Sequence, residues 1–271
     1  MPDSPINEQR LDLMKKNQIS MEECVAQYLS DKKDCLPSLY TWKFTSSIAT
    51  ERFGISFSGQ TLFDKVMELK KSLRQQVASS TCTVRQAEIA MYFIKEWGGI
   101  RRFTKVNETL ALFSGLKGSP VAPQRLKIPF QGISSWSKWA SIVCPDWACI
   151  YDTRVAYSLN AINYLAGANQ LIFPTPPGQN SRLKMLDVTT LLLSQRLQNG
   201  ESSDPAKVRI KHLIPKADTY LKYLALLRGV STALWEDPGR IHEVEMLLFA
   251  LADGEIYNDV FERLSTDSPM L

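Results

Sequence analysis

The sequence predicts an all-α protein. Apolar residues recur at three- and four-residue intervals, as at Leu62, Val66, Leu69 and Leu73, which is the period of an amphipathic helix and not the alternation of a strand. Glycine- and proline-rich breaks separate such segments. The 271 residues, 44% of them hydrophobic, suffice for one large domain or for two lobes.

Apolar periodicity and breaking residues together locate the helices. In chain order, the predicted helices run from about Leu11 to Gln27, Leu62 to Leu73, Ile89 to Trp97, Glu108 to Ser114, Thr153 to Leu165, Leu183 to Leu197, Ala217 to Leu234 and His242 to Arg263, with a short one opened by Trp136. The clearest breaks are Gly98-Gly99, Gly118 to Gln124, Pro174 to Gly178 and Asn199 to Pro205.

Cysteine usage and hydropathy exclude several classes. The five cysteines form no C-x-x-C pair, which argues against a zinc knuckle and a disulfide framework and favours the reducing cytoplasm. No run of about 18 apolar residues is present and the N-terminus is polar, so we expect neither a membrane span nor a secretory signal. His212 and His242 have no acidic partner at metal-ligand spacing beyond Glu243 and Glu245, so no metal site is predicted.

Charge is distributed unevenly along the chain. Residues 101–138 carry seven basic side chains and one acid, for +6, whereas residues 235–271 carry nine acids and two arginines, for −7. A basic middle suggests a phosphate-bearing partner, and an acidic end would repel one. A solvated surface explains the same basic cluster, and the sequence leaves both explanations open.

The segment from Phe130 to Ala140 combines a glycine with a helix start. Gly132 permits a positive φ and a close approach of backbone to ligand. Ser134 or Ser135 is expected to cap the helix opened by Trp136, so that backbone N–H groups point toward a phosphate. Sixteen residues after Trp136 comes Asp152, at the N-cap position of the next helix.

These two segments resemble the helix-hairpin-helix superfamily of DNA glycosylases. That family's hairpin runs hydrophobic-Pro-Gly-hydrophobic-Gly and then places a functional side chain where Trp136 stands. Bifunctional members have a lysine nucleophile there, and members similar to the alkylpurine glycosylases have a tryptophan and only hydrolyse. The segment Tyr151 to Val155 is similar to the family's Val-Asp-Thr-His-Val, in which the aspartate is catalytic.

The chain departs from the family pattern at three positions. Gln131 replaces the usual proline, Ser134 the second glycine and Arg154 the usual histidine. A side chain at Ser134 would hinder the approach of a phosphate. The four-cysteine iron–sulfur loop of some relatives has no counterpart, so we expect no cluster and no other cofactor.

The resemblance implies a monofunctional DNA glycosylase without lyase activity. Asp152 would be catalytic, with Trp136, Trp139 and Tyr151 forming the base pocket. Gly132, Ser134, Lys138 and Arg154 would bind DNA phosphates. The substrate would be a damaged or modified base flipped out of DNA, in repair or in defence against phage with modified DNA.

Each site residue also has a plainer explanation. Asp152 is at the usual position of a helix cap, Trp136 and Trp139 are spaced for a helix–helix contact, and the charged side chains suit a solvated surface. A non-catalytic helix-hairpin-helix DNA-binding protein and a helical protein-interaction scaffold are therefore the alternative functions.

For the domain organisation we predict a helical lobe over residues 31–155 that ends in the hairpin. Residues 1–30 and 156–271 would form the second lobe. A central cleft between the lobes would hold the catalytic aspartate beside the hairpin, in a protein expected to act as a monomer.

Overall fold

The computed structural model describes residues 19–120, 122, 128–167, 170–178, 180–198 and 204–267. These residues form helices, turns and loops without any strand, and a single isolated bridge pairs Ile172 with Leu213. The all-α prediction is confirmed. None of the described helices combines the length and apolar character needed to cross a membrane.

Helices follow one another with short connections. The α-helices are α1 (Met21–Leu29), α2 (Leu36–Leu39), α3 (Ser46–Phe53), α4 (Leu62–Ser79), α5 (Thr83–Met91), α6 (Val106–Phe113), α7 (Ile133–Val143), α8 (Thr153–Ala166), α9 (Ser181–Met185), α10 (Val188–Gln198), α11 (Pro205–His212), α12 (Thr219–Trp235), α13 (Ile241–Leu251) and α14 (Glu255–Asp267). A 3₁₀ turn spans Lys33–Cys35, and a π-helix over Tyr92–Trp97 continues α5.

Two predicted helices are each split in the structure. The predicted helix from His242 to Arg263 is interrupted by a turn at residues 252–254 and becomes α13 and α14. The segment from Leu183 to Leu197 contains a break before α10, where Asp187 Oδ1 accepts hydrogen bonds from Thr189 N and Thr190 N. Periodicity missed both breaks because apolar residues continue through them.

Capping residues determine where several helices begin. Ser20 forms a capping box with Glu23 at the start of α1, and Thr61 forms one with Asp64 at the start of α4. Such reciprocal bonds satisfy backbone N–H groups that have no partner within the helix. The predicted first helix therefore begins at Met21 within the described residues, and its earlier part lies outside them.

One continuous hydrophobic core joins the two halves of the chain. Helix α8 packs against α1, α10, α13 and α14, while α7 packs against α4, α6 and the π-helix. The loop between α7 and α8 is therefore enclosed by helices from both halves. The two-lobe division stays a prediction, and residue 155 lies in the first turn of α8.

Candidate functional site

Asp152 is the N-cap residue of α8, as the sequence predicts. Its Oδ1 accepts hydrogen bonds from Arg154 N at 3.0 Å and from Val155 N at 3.2 Å. Among the described residues, none donates a hydrogen bond to Oδ2. One carboxylate oxygen thus fixes the side chain on the helix, and the other is available to a ligand.

The loop that carries Asp152 is held by buried hydroxyl groups. Tyr220 Oη donates to Cys149 O and Tyr223 Oη donates to Ile150 O, each at 2.8 Å. The backbone N–H of Tyr151 donates to Ser137 Oγ of α7 at 3.0 Å. Because these groups pair with the loop backbone inside the core, the carboxylate is presented from a rigid support.

Gly132 forms the turn that precedes α7. Its φ is +77°, in the left-handed region that favours glycine, and it is itself the N-cap residue. This corrects the expectation that Ser134 or Ser135 caps the helix, because both lie within its first turn and no side chain caps it. Ser134 Oγ is instead buried without a hydrogen-bond partner.

Asp152 and the Gly132 turn open onto the same cavity, of about 590 Å³. We call it the outer cavity. It continues into a small inner pocket of about 30 Å³. Five residues line both spaces: Trp42, Gly98, Lys138, Asp152 and Phe249.

Lys138 is a buried member of this site, with a side chain 4% exposed. Its Nζ donates to Ser134 O at 3.0 Å, one turn back along α7. Burial lowers the pKa of this amine, although the charges of Asp152 and Glu245 partly oppose that effect. Lys138 therefore lines the outer cavity from a buried position, and its assignment as a phosphate contact stays a prediction.

Two aromatic rings form the walls that the sequence failed to identify. Trp42 and Phe249 meet edge to face with ring centroids 5.4 Å apart, and Trp42 Nε1 is fixed by donating to Trp97 O at 3.0 Å. Trp42 lies between Tyr40 and Phe44 in a run of aromatic residues at every second position. This alternation of aromatic residues is the sequence feature from which the wall could have been predicted.

Arg154 closes one side of the aromatic walls. Its guanidinium lies 4.7 Å from the ring centroid of Phe249 and 5.5 Å from that of Trp42, and Nη2 pairs with Asp253 Oδ2 at 2.7 Å. Asn180 Nδ2 also donates to that oxygen, at 2.9 Å. Arg154 therefore lines the outer cavity with its guanidinium already paired, and its assignment as a phosphate contact stays a prediction.

The three residues predicted to wall the base pocket belong to the core instead. Trp136 packs edge to face on Tyr220 with centroids 4.7 Å apart, and its Nε1 donates to Pro129 O at 3.0 Å. Trp139 is 2% exposed, and Tyr151 is fully buried with its Oη donating to Pro174 O at 2.7 Å. None of them lines the outer cavity or the inner pocket.

The basic segment is only partly a surface feature. Four of its seven basic residues are exposed, namely Arg101, Arg102, Lys105 and Lys117. Lys138 is buried, and the remaining two, Arg125 and Lys127, lie outside the described residues. Arg101 and Arg102 directly follow Gly98 to Ile100 at the edge of the outer cavity, so the exposed charge adjoins the site.

A second cavity, of about 1140 Å³, lies on the other side of the Gly132 turn. It shares Gly132, Thr153 and the loop from Pro176 to Gly178 with the outer cavity. Its basic lining residues are Lys184, Arg209 and Lys216, and its acidic one is Asp187. The turn thus projects between two open spaces with cationic groups beside them.

Cys149, His242 and Glu245 form a cluster beneath Asp152 that the sequence did not suggest. Their potential ligand atoms all lie within 4.8 Å of one another. His242 Nε2 is 2.7 Å from Pro145 O, and because a carbonyl only accepts, Nε2 carries the proton. Burial raises the pKa of the Cys149 thiol well above its ordinary value.

Two cations determine how this cluster is interpreted. Lys70 is buried, and the charges of Lys70 and Arg74 both act on Cys149 and on Glu245. Positive charges at this position oppose the binding of a divalent cation. Glu245 Oε2 accepts from Ile150 N at 3.2 Å, so we interpret the cluster as support for the loop that carries Asp152.

Comparison with known proteins adds no family assignment. No protein-family model, curated protein or solved structure matches this chain.

Proposed function

We propose that the protein is a monofunctional DNA glycosylase that hydrolyses the N-glycosidic bond of a damaged or modified base. The observation that carries this proposal is the common cavity of Asp152 and the Gly132 turn. A glycosylase needs a carboxylate near C1′ and a backbone turn that grips the strand beside it. Both groups are present here on rigid elements.

The chemistry requires a fixed negative charge. Cleavage of the C1′–N bond passes through a transition state with positive charge on the sugar, and a carboxylate at that position stabilises the charge and orients the attacking water. Asp152 suits this role because Oδ1 is anchored by two backbone N–H groups while Oδ2 remains available. Capping and catalysis thus use different oxygens of one side chain.

The base must leave the duplex to reach such a carboxylate. Trp42 and Phe249 offer aromatic surfaces in the same cavity, and flat bases stack well on such rings. These residues replace Trp136, Trp139 and Tyr151 as the proposed walls of the base pocket. The inner pocket, of about 30 Å³, has to widen to admit a base.

The DNA strand would lie across the Gly132 turn. Gly132 is exposed and has no side chain to block the approach of a phosphate, and α7 begins directly after it, so its N-terminus favours an anion. Arg101 and Arg102 on one side and the basic residues of the second cavity on the other would attract the flanking backbone.

A screen of modified-base duplexes and of phage genomic DNA tests this function. We expect release of at least one base, scored as an abasic site that breaks in alkali. Salt-sensitive DNA binding without any release would support the non-catalytic DNA-binding alternative. Absence of DNA binding would support the interaction scaffold.

Binding to non-specific duplex DNA should weaken steeply as salt concentration rises, because phosphate contacts release counterions. Replacing Arg101 and Arg102 by serine should reduce the slope of log K against log salt by up to about 2. The matched control replaces the exposed Lys71 and Lys222, which line neither cavity at the turn, and should change the slope little. A flat response of the unmodified protein to salt contradicts DNA binding.

Borohydride should trap no covalent adduct between the protein and DNA containing the excised site, since hydrolysis proceeds through water and no amine attacks C1′. The measurement is gel electrophoresis after reduction. An adduct that disappears in Lys138→Met would instead make Lys138 a nucleophile and the protein a glycosylase with lyase activity.

A further inference from the structure

The charged groups around the inner pocket differ in how they are partnered. Asp152 is anchored by two backbone N–H groups, and Arg154 is paired with Asp253. Glu245 accepts a hydrogen bond from Ile150 N. Burial raises the pKa of the Glu245 carboxyl, but Lys70, His242 and the Ile150 N–H together hold that pKa below its ordinary value. Each of these groups has its compensating partner within the protein.

Lys138 differs from them in its hydrogen bonds, although the charges of Asp152 and Glu245 also act on it. Its ammonium donates to one neutral carbonyl, that of Ser134, and as a three-donor group it has capacity left for a ligand. A Cβ placed on Gly98 would lie 2.6 Å from Lys138 Cε. Gly98 therefore allows the lysine stem to pass, and the close packing holds the amine at the pocket.

The aromatic walls carry a cation already. Arg154 lies over both Phe249 and Trp42, so the electron-rich faces that would stabilise a positively charged base are shared with a guanidinium. Arg154 is itself paired with Asp253, and Asp152 and Glu245 line the inner pocket beside Lys138, so charge alone does not reject a cationic base. A neutral ring stacks on these walls without competing with the guanidinium for a cation–π contact.

We propose that the site is built to release electrically neutral bases and that Lys138 donates a proton to the base as it departs, a step that N-alkylated purinium cations do not need. The inference rests on the proposed function and specifies its substrate class. Cationic bases leave readily as neutral molecules, whereas neutral bases leave as anions and need a proton or a positive charge nearby. A buried ammonium supplies that need.

The C1′–N bond breaks, and its electron pair goes to the departing base. The base then takes a proton from Lys138 Nζ. Water adds to C1′ and gives its proton to Asp152. Solvent then reprotonates Lys138 and removes the proton from Asp152, so the net reaction is hydrolysis. The lowered pKa of Lys138 in the buried site favours this transfer.

The test uses the full-length protein with duplexes that contain one modified base each. One set carries cationic 7-methylguanine, and the other carries neutral bases such as 8-oxoguanine, hypoxanthine, 5-formyluracil and 5-hydroxymethylcytosine. We expect release within the neutral set, and we expect the acceleration over the spontaneous rate to be at least about 10²-fold smaller for 7-methylguanine, since the cationic base gains nothing from a positioned proton donor.

Lys138→Met and Lys138→Arg separate proton donation from structural support. Met fills the volume of the lysine stem without a proton, and Arg retains the charge. Lys138→Met should slow base release about 10² to 10⁴-fold, with the largest fall in rate for the least acidic bases. Lys138→Arg should restore part of the rate on the same bases. Circular dichroism checks that both variants fold.

Three outcomes overturn the inference. The first is an acceleration of 7-methylguanine release, over its spontaneous rate, that equals or exceeds the acceleration for the neutral bases. The second is an equal loss for all bases in Lys138→Met, which indicates support of the fold alone. The third is release from neither set, which removes the proposed function as well and so is distinct from the first two.

Discussion

Replacing Asp152 by asparagine should abolish base release while leaving the fold and DNA affinity nearly unchanged. Asparagine caps helices about as well as aspartate, so the hydrogen bonds to Arg154 N and Val155 N can persist. The negative charge that faces the developing oxocarbenium ion is lost. Groups of this kind contribute about 10² to 10⁴-fold to rate, which a single-turnover assay of base release will measure.

Asp204→Asn is the matched control for this variant. Asp204 caps α11, where its Oδ1 accepts from Ala206 N at 2.9 Å, and it lines neither the outer cavity nor the inner pocket. The two variants change the same chemical group at equivalent helix positions. Full activity of Asp152→Asn, or an equal loss in Asp204→Asn, contradicts the assignment of Asp152 as the catalytic residue.

Replacing Trp136 by alanine should destabilise the protein strongly. The ring is 3% exposed and packs against Tyr220 and Phe113, so its removal leaves a cavity in the core. Such a truncation costs about 3 to 5 kcal/mol, which corresponds to a fall in Tm of about 6 to 20 °C for a chain of this size. Thermal unfolding followed by circular dichroism gives the value.

Trp42→Ala is the counterpart, since Trp42 is only half buried and lines the cavity. We expect a smaller loss of stability and a larger loss of base release than in Trp136→Ala. A Trp136→Ala protein that keeps its Tm but releases no base would restore Trp136 as a pocket residue. It would then contradict the assignment of the walls to Trp42 and Phe249.

Local features of the site were predictable because they depend on neighbouring residues. The N-cap position of Asp152 follows from an aspartate directly before an apolar helical repeat, and the glycine turn before α7 follows from the conformational freedom of Gly132. The serine cap was predicted wrongly because Ser134 and Ser135 suit caps in general. Gly132 instead takes the left-handed conformation, and the helix starts one residue before Ser134.

The orientation of the side chains on α7 could not be read from spacing. Trp136 and Trp139 are three residues apart and share a helix face, and that pattern fits a pocket wall and a core contact equally. Because α7 packs against α4, α6 and the π-helix, both tryptophans lie in the core and not on a pocket wall. The same packing encloses Lys138, which a basic segment in the sequence suggested as a surface charge.

The sequence by itself determined the helical class, most of the helices, the turn at Gly132 and the capping role of Asp152, since each depends on residues within a few positions of one another. Only the tertiary structure decided which residues share the cavity with Asp152. Trp42 and Phe249 lie about a hundred residues from it on either side, and long-range packing of a continuous core, rather than local propensity, brings them together.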